Sequence, residues 1–269
     1  MDIQVNKTPI QYFNFSGGEC HVNIADIIIE DTADITAYLY CSDDIMRLAM
    51  VVDAIRQKYV ATKIDLTIPY FPYARQDRVC NDGEAFSVSV MAKLINALSC
   101  NNVTIYDPHS KITIDLLNNC SVITQAKILE NSIIASDIKT KGLVLVSPDA
   151  GAESKTREIA AQLSVDAIYC TKTRDAKTGQ ITGTQIPDDI VGQTFIIVDD
   201  ICDGGRTFIQ LAKSLKDAGA NDLYLYVTHG IFSQGLSVLK EHFEHIYCYH
   251  CFLENGDIDQ QFLTVIEGE

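Results

Sequence analysis

Apolar, β-branched runs alternate with amphipathic stretches along the chain, and this restricts it to an α/β architecture. Residues 35–40 (Ile-Thr-Ala-Tyr-Leu-Tyr) precede an amphipathic segment over residues 43–58. Residues 63–70 read as a strand, 87–98 as a helix, and 103–106 as a short strand ending on Asp107. The order resumes with a strand at 143–146, a helix at 154–163, and strands at 167–170, 195–198, 223–227 and 246–252. This βαβα rhythm predicts mostly parallel sheets with helices on both faces. Ligands in such sheets lie beyond the C-terminal ends of the strands. Polar residues collect at those ends, at 75–78, 107–110, 147–149, 172–174, 199–207 and 228–229.

The densest of these clusters is Phe-Ile-Ile-Val-Asp-Asp-Ile-Cys-Asp-Gly-Gly-Arg-Thr at residues 195–207. A buried strand is expected to end on Asp199 and Asp200. Asp203, Gly204, Gly205 and Arg206 follow, and Thr207 opens an amphipathic helix. Backbone N–H groups of a glycine turn and a helix dipole suit a phosphate. Adjacent carboxylates accept from ribose hydroxyls or hold Mg2+. The plain alternative is a βα turn with a capping Thr; three carboxylates around the turn favour a sugar phosphate.

With 269 residues, two domains are expected, with a boundary near residues 118–127. No apolar run approaches the ~18 residues needed to span a bilayer. The N-terminus lacks the basic-then-apolar layout of a signal peptide, so a cytoplasmic protein is expected. A net charge of −15 argues against nonspecific nucleic-acid or membrane binding and gives weight to each cation near a phosphate site. Nine scattered cysteines, including Cys41, Cys100, Cys120, Cys170 and Cys248, read as buried reduced thiols. His242, His245, Cys248, His250 and Cys251 look like a zinc set. On a strand, however, Cys248 and His250 face one side and Cys251 the other, which disfavours it.

Five segments together resemble ribose-phosphate diphosphokinase, the phosphoribosyl pyrophosphate synthetase family. They are Phe-Ser-Gly-Gly-Glu at 15–19, Ile-Pro-Tyr-Phe-Pro-Tyr-Ala-Arg-Gln-Asp-Arg at 68–78, Asp-Pro-His at 107–109, Val-Ser-Pro-Asp at 146–149, and the acidic-glycine run. The resemblance implies two tandem type I phosphoribosyltransferase-like domains, each a mostly parallel sheet flanked by helices. Residues 1–124 would form the ATP side. Residues 125–269 would form the ribose 5-phosphate side, with the last residues packing back on the first domain.

The same resemblance implies roles. Lys172 and Arg174 occupy the family's catalytic Lys-x-Arg positions, and two alternate residues of an extended segment point the same way. Phe15, Gly17, Gly18, Glu19, Arg75, Gln76, Arg78 and His109 fall on the ATP side. His109 and Asp149 match Mg2+-associated positions. Asp199, Asp200, Asp203, Gly204, Gly205, Arg206 and Thr207, with Arg174, would hold ribose 5-phosphate. The implied reaction moves the diphosphoryl group of ATP to the 1-hydroxyl of ribose 5-phosphate, in a homo-oligomer, dimer or hexamer.

The chain departs from the family pattern in three places. Gly17 stands where the family commonly has Asp, in a loop that reaches adenine across a subunit interface. The usual Asp-Thr-(Ala/Gly)-Gly-Thr is Asp-Gly-Gly-Arg-Thr at 203–207, which loses a hydroxyl at Gly204 and gains a charge at Arg206. Residues 38–45 are several residues shorter than in longer members, which weakens the case for phosphate-activated, ADP-inhibited regulation. Two other functions compete. A type I phosphoribosyltransferase explains residues 195–212 but leaves Arg75, Arg78 and His109 without a task. A catalytically silent regulatory subunit is disfavoured by retention of Lys172, Arg174, His109 and Asp149.

Overall fold

The computed structural model describes residues 3–266 apart from 61, 131, 175–180 and 188–189; the side chains of 133, 172–174, 181–184 and 255 also lie outside the described residues. The chain divides into two compact units, Met1–Ile123 and Thr124–Glu269.

The first unit opens with short strands β1 (Gln4–Val5), β2 (Thr8–Pro9), β3 (Gln11–Asn14) and β4 (Cys20–Asn23). Then follow β5 (Thr32–Thr36), α1 (Ser42–Lys58), β6 (Lys63–Ile68), α2 (Ser87–Ala97), β7 (Asn102–Tyr106), α3 (Lys111–Leu116) and β8 (Cys120–Ile123). The sheet order is β2-β1-β5-β6-β7-β8. It is parallel from β5 to β8, with β1 antiparallel at β5. Buried Leu48, Val51, Val52 and Ile55 repeat at helical spacing on α1 and pack with Ile35, Leu66, Ile68 and Ile105 of the sheet. Asp44 holds the start of α1 by accepting from the Cys41 N–H at 3.0 Å. At its other end Lys58 Nζ donates to the carbonyls of Ile24, Ala25 and Ile27.

The second unit contains α4 (Gln125–Glu130), α5 (Ile133–Lys141), β9 (Val144–Ser147), α6 (Glu153–Leu163), β10 (Ala167–Tyr169), β11 (Thr171–Arg174) and β12 (Ile181–Gln185). It continues with β13 (Phe195–Cys202), α7 (Arg206–Asp217), β14 (Leu223–Gly230), α8 (Ser237–Lys240), β15 (His245–Cys251) and β16 (Leu263–Val265). The sheet order is β10-β9-β13-β14-β15-β16, and every pairing in it is parallel. Alternation on β13 divides two cores. Phe195 and Ile197 face Phe208, Leu211, Ala212 and Leu215 of α7. Ile196 and Val198 face Ile159 and Leu163 of α6, with Ile134 and Ile138 of α5. Both faces being covered explains the unbroken apolar run.

Three expectations about the strands need correction, and two antiparallel pairs are additions to them. The strand expected at 35–40 is β5, three residues earlier, because its pairing with β6 runs from Thr32↔Lys63 to Thr36↔Thr67. The strand expected to end on Asp199 and Asp200 runs two residues further, since β14 keeps pairing as far as Cys202↔Gly230. The β11–β12 antiparallel ribbon and the β3–β4 hairpin were not foreseen. Cys248 and Cys251 share one core cluster, whereas strand alternation placed them on opposite sides.

All nine cysteines are free thiols. Cys20, Cys100, Cys170, Cys202, Cys248 and Cys251 are buried and Cys120 partly so, but Cys41, read as buried, is exposed, as is Cys80. Among the described residues no helix is long and apolar enough to cross a membrane.

Candidate active site

The carboxylate-rich site of the second unit is built on the overhang of β13. Its pairing with β9 ends at Ile197↔Val146, whereas its pairing with β14 continues to Cys202. Beyond β9, a side chain supplies a hydrogen bond to the backbone. Buried Gln125, at the start of α4, donates from Nε2 to the Asp199 carbonyl at 2.6 Å and to Thr228 Oγ1 at 3.1 Å. Asp199 Oδ1 accepts from the Asp200 N–H at 2.9 Å. Alternation sends the neighbouring Asp200 to the α6 face, where Lys155 Nζ lies 3.9 Å from its Oδ2. The two carboxylates are therefore not equivalent. Burial, then the charge of Asp200, raises the Asp199 carboxyl well above the usual carboxylate range, and Asp149 adds to the effect.

The turn after β13 closes on α7. Gly205, the N-cap of α7, has φ 74°, and a Cβ there would stand 2.8 Å from Leu239 Cδ2. Glycine is required on both counts. Arg206 and Thr207 are exposed at the helix start. Ser233 Oγ donates to Asp203 Oδ1 at 2.6 Å, so the turn after β14 reaches this loop. Burial pushes the Cys202 thiol up to about 12, with the charges of Asp199 and Asp203 adding to it.

Asp149 sits just past β9. Its Oδ1 accepts from the N–H groups of Gly151 at 3.0 Å and Ala152 at 3.3 Å, while Ser147 Oγ donates to its carbonyl at 2.8 Å. One carboxylate oxygen thus organises the entry to α6. Lys172 and Arg174 lie on β11, where Lys172 opposes Thr184 and Arg174 opposes Ile181. The register shifts between Thr173 and Arg174, where the β12 partner moves from Gly183 to Ile181 and skips Thr182. Their side chains fall outside the described residues.

In the first unit, Phe15, Gly17, Gly18 and Glu19 form the turn of the β3–β4 hairpin, closed by Phe15 N–H to Glu19 O and Gly18 N–H to Phe15 O, both 2.8 Å. Gly18 has φ 94°. The Glu19 carboxylate folds over Gly17, with Oε2 2.6 Å from where a Cβ at 17 would sit. Phe13, Phe15 and His21 form an exposed cluster, with the two phenyl rings 5.0 Å apart. Arg75 and Gln76 follow a turn in which Tyr73 takes φ 63° and accepts from the Gln76 N–H at 2.9 Å; Arg75, Gln76 and Arg78 are exposed. His109 is exposed beyond β7, next but one to buried Asp107, which has φ 40°. An apolar groove of about 530 Å3 runs between α1 and α2 past Met46, Val90 and Leu94. Its walls are mostly aliphatic, with Tyr73, Ser42 and Ser87 among them, and carry little of the polar chemistry that a triphosphate needs.

Within the second unit the structure brings Asp149, Asp199 and Asp200 into one electrostatic neighbourhood, with Asp203 on the adjoining turn. Gln125, Lys155, Ser233 and Gln234 were missed. Gln125 lies 74 residues from Asp199 and Ser233 lies 30 from Asp203, so no local motif flags them.

A strand running into an acidic overhang, a glycine turn and a helix N-terminus define a phosphoribosyl-transfer type of domain. Residues 115–261 match the family model described as the phosphoribosyl transferase domain. Residues 1–98 match the N-terminal domain of ribose phosphate pyrophosphokinase. The chain belongs to the ribose-phosphate pyrophosphokinase family. It is 30% identical to the Thermococcus kodakarensis ribose-phosphate pyrophosphokinase over 229 residues, covering 84% of this chain and 79% of that protein. The Hyphomonas neptunium ribose-phosphate pyrophosphokinase is 29% identical over 239 residues, covering 87% and 74%. A crystal structure of phosphoribosylpyrophosphate synthetase from Mycobacterium smegmatis superposes with TM-score 0.78 at 22% identity, covering 95% of this chain and 85% of that one, and shares the α/β fold.

Proposed function

We propose that this protein transfers the β,γ-diphosphoryl group of ATP to the 1-hydroxyl of ribose 5-phosphate, forming phosphoribosyl pyrophosphate and AMP. The observation that carries the reading is the union, in one chain, of the pyrophosphokinase N-terminal domain with the acidic strand–glycine turn–helix site. A phosphoribosyltransferase alone would leave residues 1–98 without a role.

Diphosphoryl transfer depends on positioning and on cationic stabilisation of the moving group. Lys172 and Arg174 take that role, with Arg174 also reaching the acceptor phosphate. Asp199, Asp200 and Asp203 accept from the ribose hydroxyls, and the N–H groups of 204–207 hold the 5-phosphate. Arg75, Gln76, Arg78 and His109 receive ATP with the hairpin turn of Phe15, Gly17, Gly18 and Glu19. The exposed aromatic cluster on that hairpin supports a homo-oligomer in which the turn serves a neighbouring copy.

Mg2+ fits the second unit. Burial and the charges of Asp200 and Asp149 disfavour ionisation of Asp199, and a hard dication held through carboxylate, phosphate and water would relieve that. Asp149 is the proposed ligand there, and His109 is the proposed Mg2+-associated residue of the ATP side. When bound, the ion would neutralise phosphate charge. The reaction is placed in the cytoplasm.

Incubation with ATP, Mg2+ and ribose 5-phosphate should give AMP and phosphoribosyl pyrophosphate in equal amounts. Absence of AMP across a range of Mg2+ and phosphate concentrations would sink the reading.

A further inference from the structure

We propose that the turn at residues 231–235 belongs to the acceptor site, and that Gln234 sets affinity for the sugar phosphate in place of a side chain at position 204. The proposal rests on the reading that loop 203–207 binds ribose 5-phosphate.

The turn is held to the end of β13 by more than its own hydrogen bonds. The N–H groups of Ile231 and Phe232 both donate to the Cys202 carbonyl, at 2.8 and 3.1 Å. Phe232 is a bulky residue in the left-handed region, with φ 49°, and its ring is buried. Room for that ring exists because Gly230 lacks a Cβ, which would meet Phe232 Cε2 at 2.1 Å and Cys248 Sγ at 2.7 Å. The Gly235 N–H closes the turn on the Phe232 carbonyl at 2.7 Å. Backbone strain of this kind persists where the surroundings over-determine it, and it concentrates at ligand clamps.

What the buried ring positions is the polar tip. Ser233 Oγ donates to Asp203 Oδ1 at 2.6 Å and so holds one acceptor-loop carboxylate. A Cβ added at Gly204 would lie 3.4 Å from Gln234 Cγ and 3.8 Å from Ser233 Oγ. Unlike Gly205, Gly204 does not have a left-handed φ, so its backbone does not demand glycine. At 3.4 Å the added Cβ would stand at ordinary contact distance, so Gln234 borders position 204, and its carboxamide is a neutral N–H donor of the kind that a hydroxyl at 204 would offer. In a chain of net charge −15, a donor without a negative charge is the suitable choice beside a dianionic phosphate.

Calorimetric titration of ribose 5-phosphate into wild type, Gln234→Ala, Gly204→Thr and the double variant tests this. Gln234→Ala should weaken binding about tenfold, in the range of one hydrogen bond to a charged group. Its thermal midpoint and its KM for ATP should stay at the wild-type values. Gly204→Thr alone should bring no gain, while Gly204→Thr/Gln234→Ala should recover most of the lost affinity. Equal affinity of wild type and Gln234→Ala overturns the proposal, and so does a loss that Gly204→Thr fails to recover. Wild type that binds ribose 5-phosphate but forms no AMP defeats the diphosphokinase reading and leaves Gln234 standing. Wild type that does not bind it defeats both.

Discussion

The hairpin turn at residues 15–19 and the acceptor loop at residues 203–207 meet the same problem in different ways. Each has a glycine where the family resemblance implies a polar side chain, and in each another polar side chain borders the position. At Gly17 the group is Glu19, two residues along the same exposed turn. At Gly204 it is Gln234, from a separate turn anchored by a buried, strained phenylalanine. A local substitute can swing away, whereas one delivered from a second segment is preorganised. The difference predicts adaptable recognition on the nucleotide side and rigid recognition on the sugar side.

The strongest test leaves both loops intact and removes the proposed catalytic cation. Lys172→Ala should lower kcat by about 10²–10³-fold with ribose 5-phosphate binding unchanged by calorimetry; an unaltered rate would remove Lys172 from the chemistry. Chelation of Mg2+ should stop turnover while the far-UV circular dichroism spectrum stays as it was. The glycines then separate the two sites. Gly205→Ala meets both φ 74° and Leu239, so it should cost about 1–3 kcal/mol in denaturant titration and weaken sugar-phosphate binding. Gly18→Ala has φ 94° with nothing within 4 Å, so only the dihedral opposes it, about 1 kcal/mol. Equal losses at the two positions would break the contrast. The smallest effect belongs to Glu19→Gln, which should raise the KM for ATP by about two- to fivefold and leave that for ribose 5-phosphate alone.

The parts legible in sequence were those whose physics is local. The 195–198 run is apolar on every residue because both faces of β13 are covered, and α7 follows because its buried residues repeat at helical spacing. The acidic-glycine turn was readable for the same reason. What stayed hidden depends on pairing between distant segments. β13 continues to Cys202 because β14 runs alongside it, whereas polarity alone suggested an end on Asp199 and Asp200. The Gln125 bridge to Asp199 and Thr228 joins three elements and has no spacing signature. The bulge between Thr173 and Arg174 likewise depends on β12.

The distribution of cysteines has a practical consequence. Both exposed thiols, Cys41 and Cys80, belong to the first unit, while Cys170, Cys202, Cys248 and Cys251 of the second are buried. Desolvation raises Cys170 to about 11 and Cys202 to about 12, which suppresses the nucleophilic thiolate. A maleimide dye should therefore mark the first unit alone in the native protein. The natural sequence thus offers a one-sided optical reporter, and labelling of the second unit would report that it has opened.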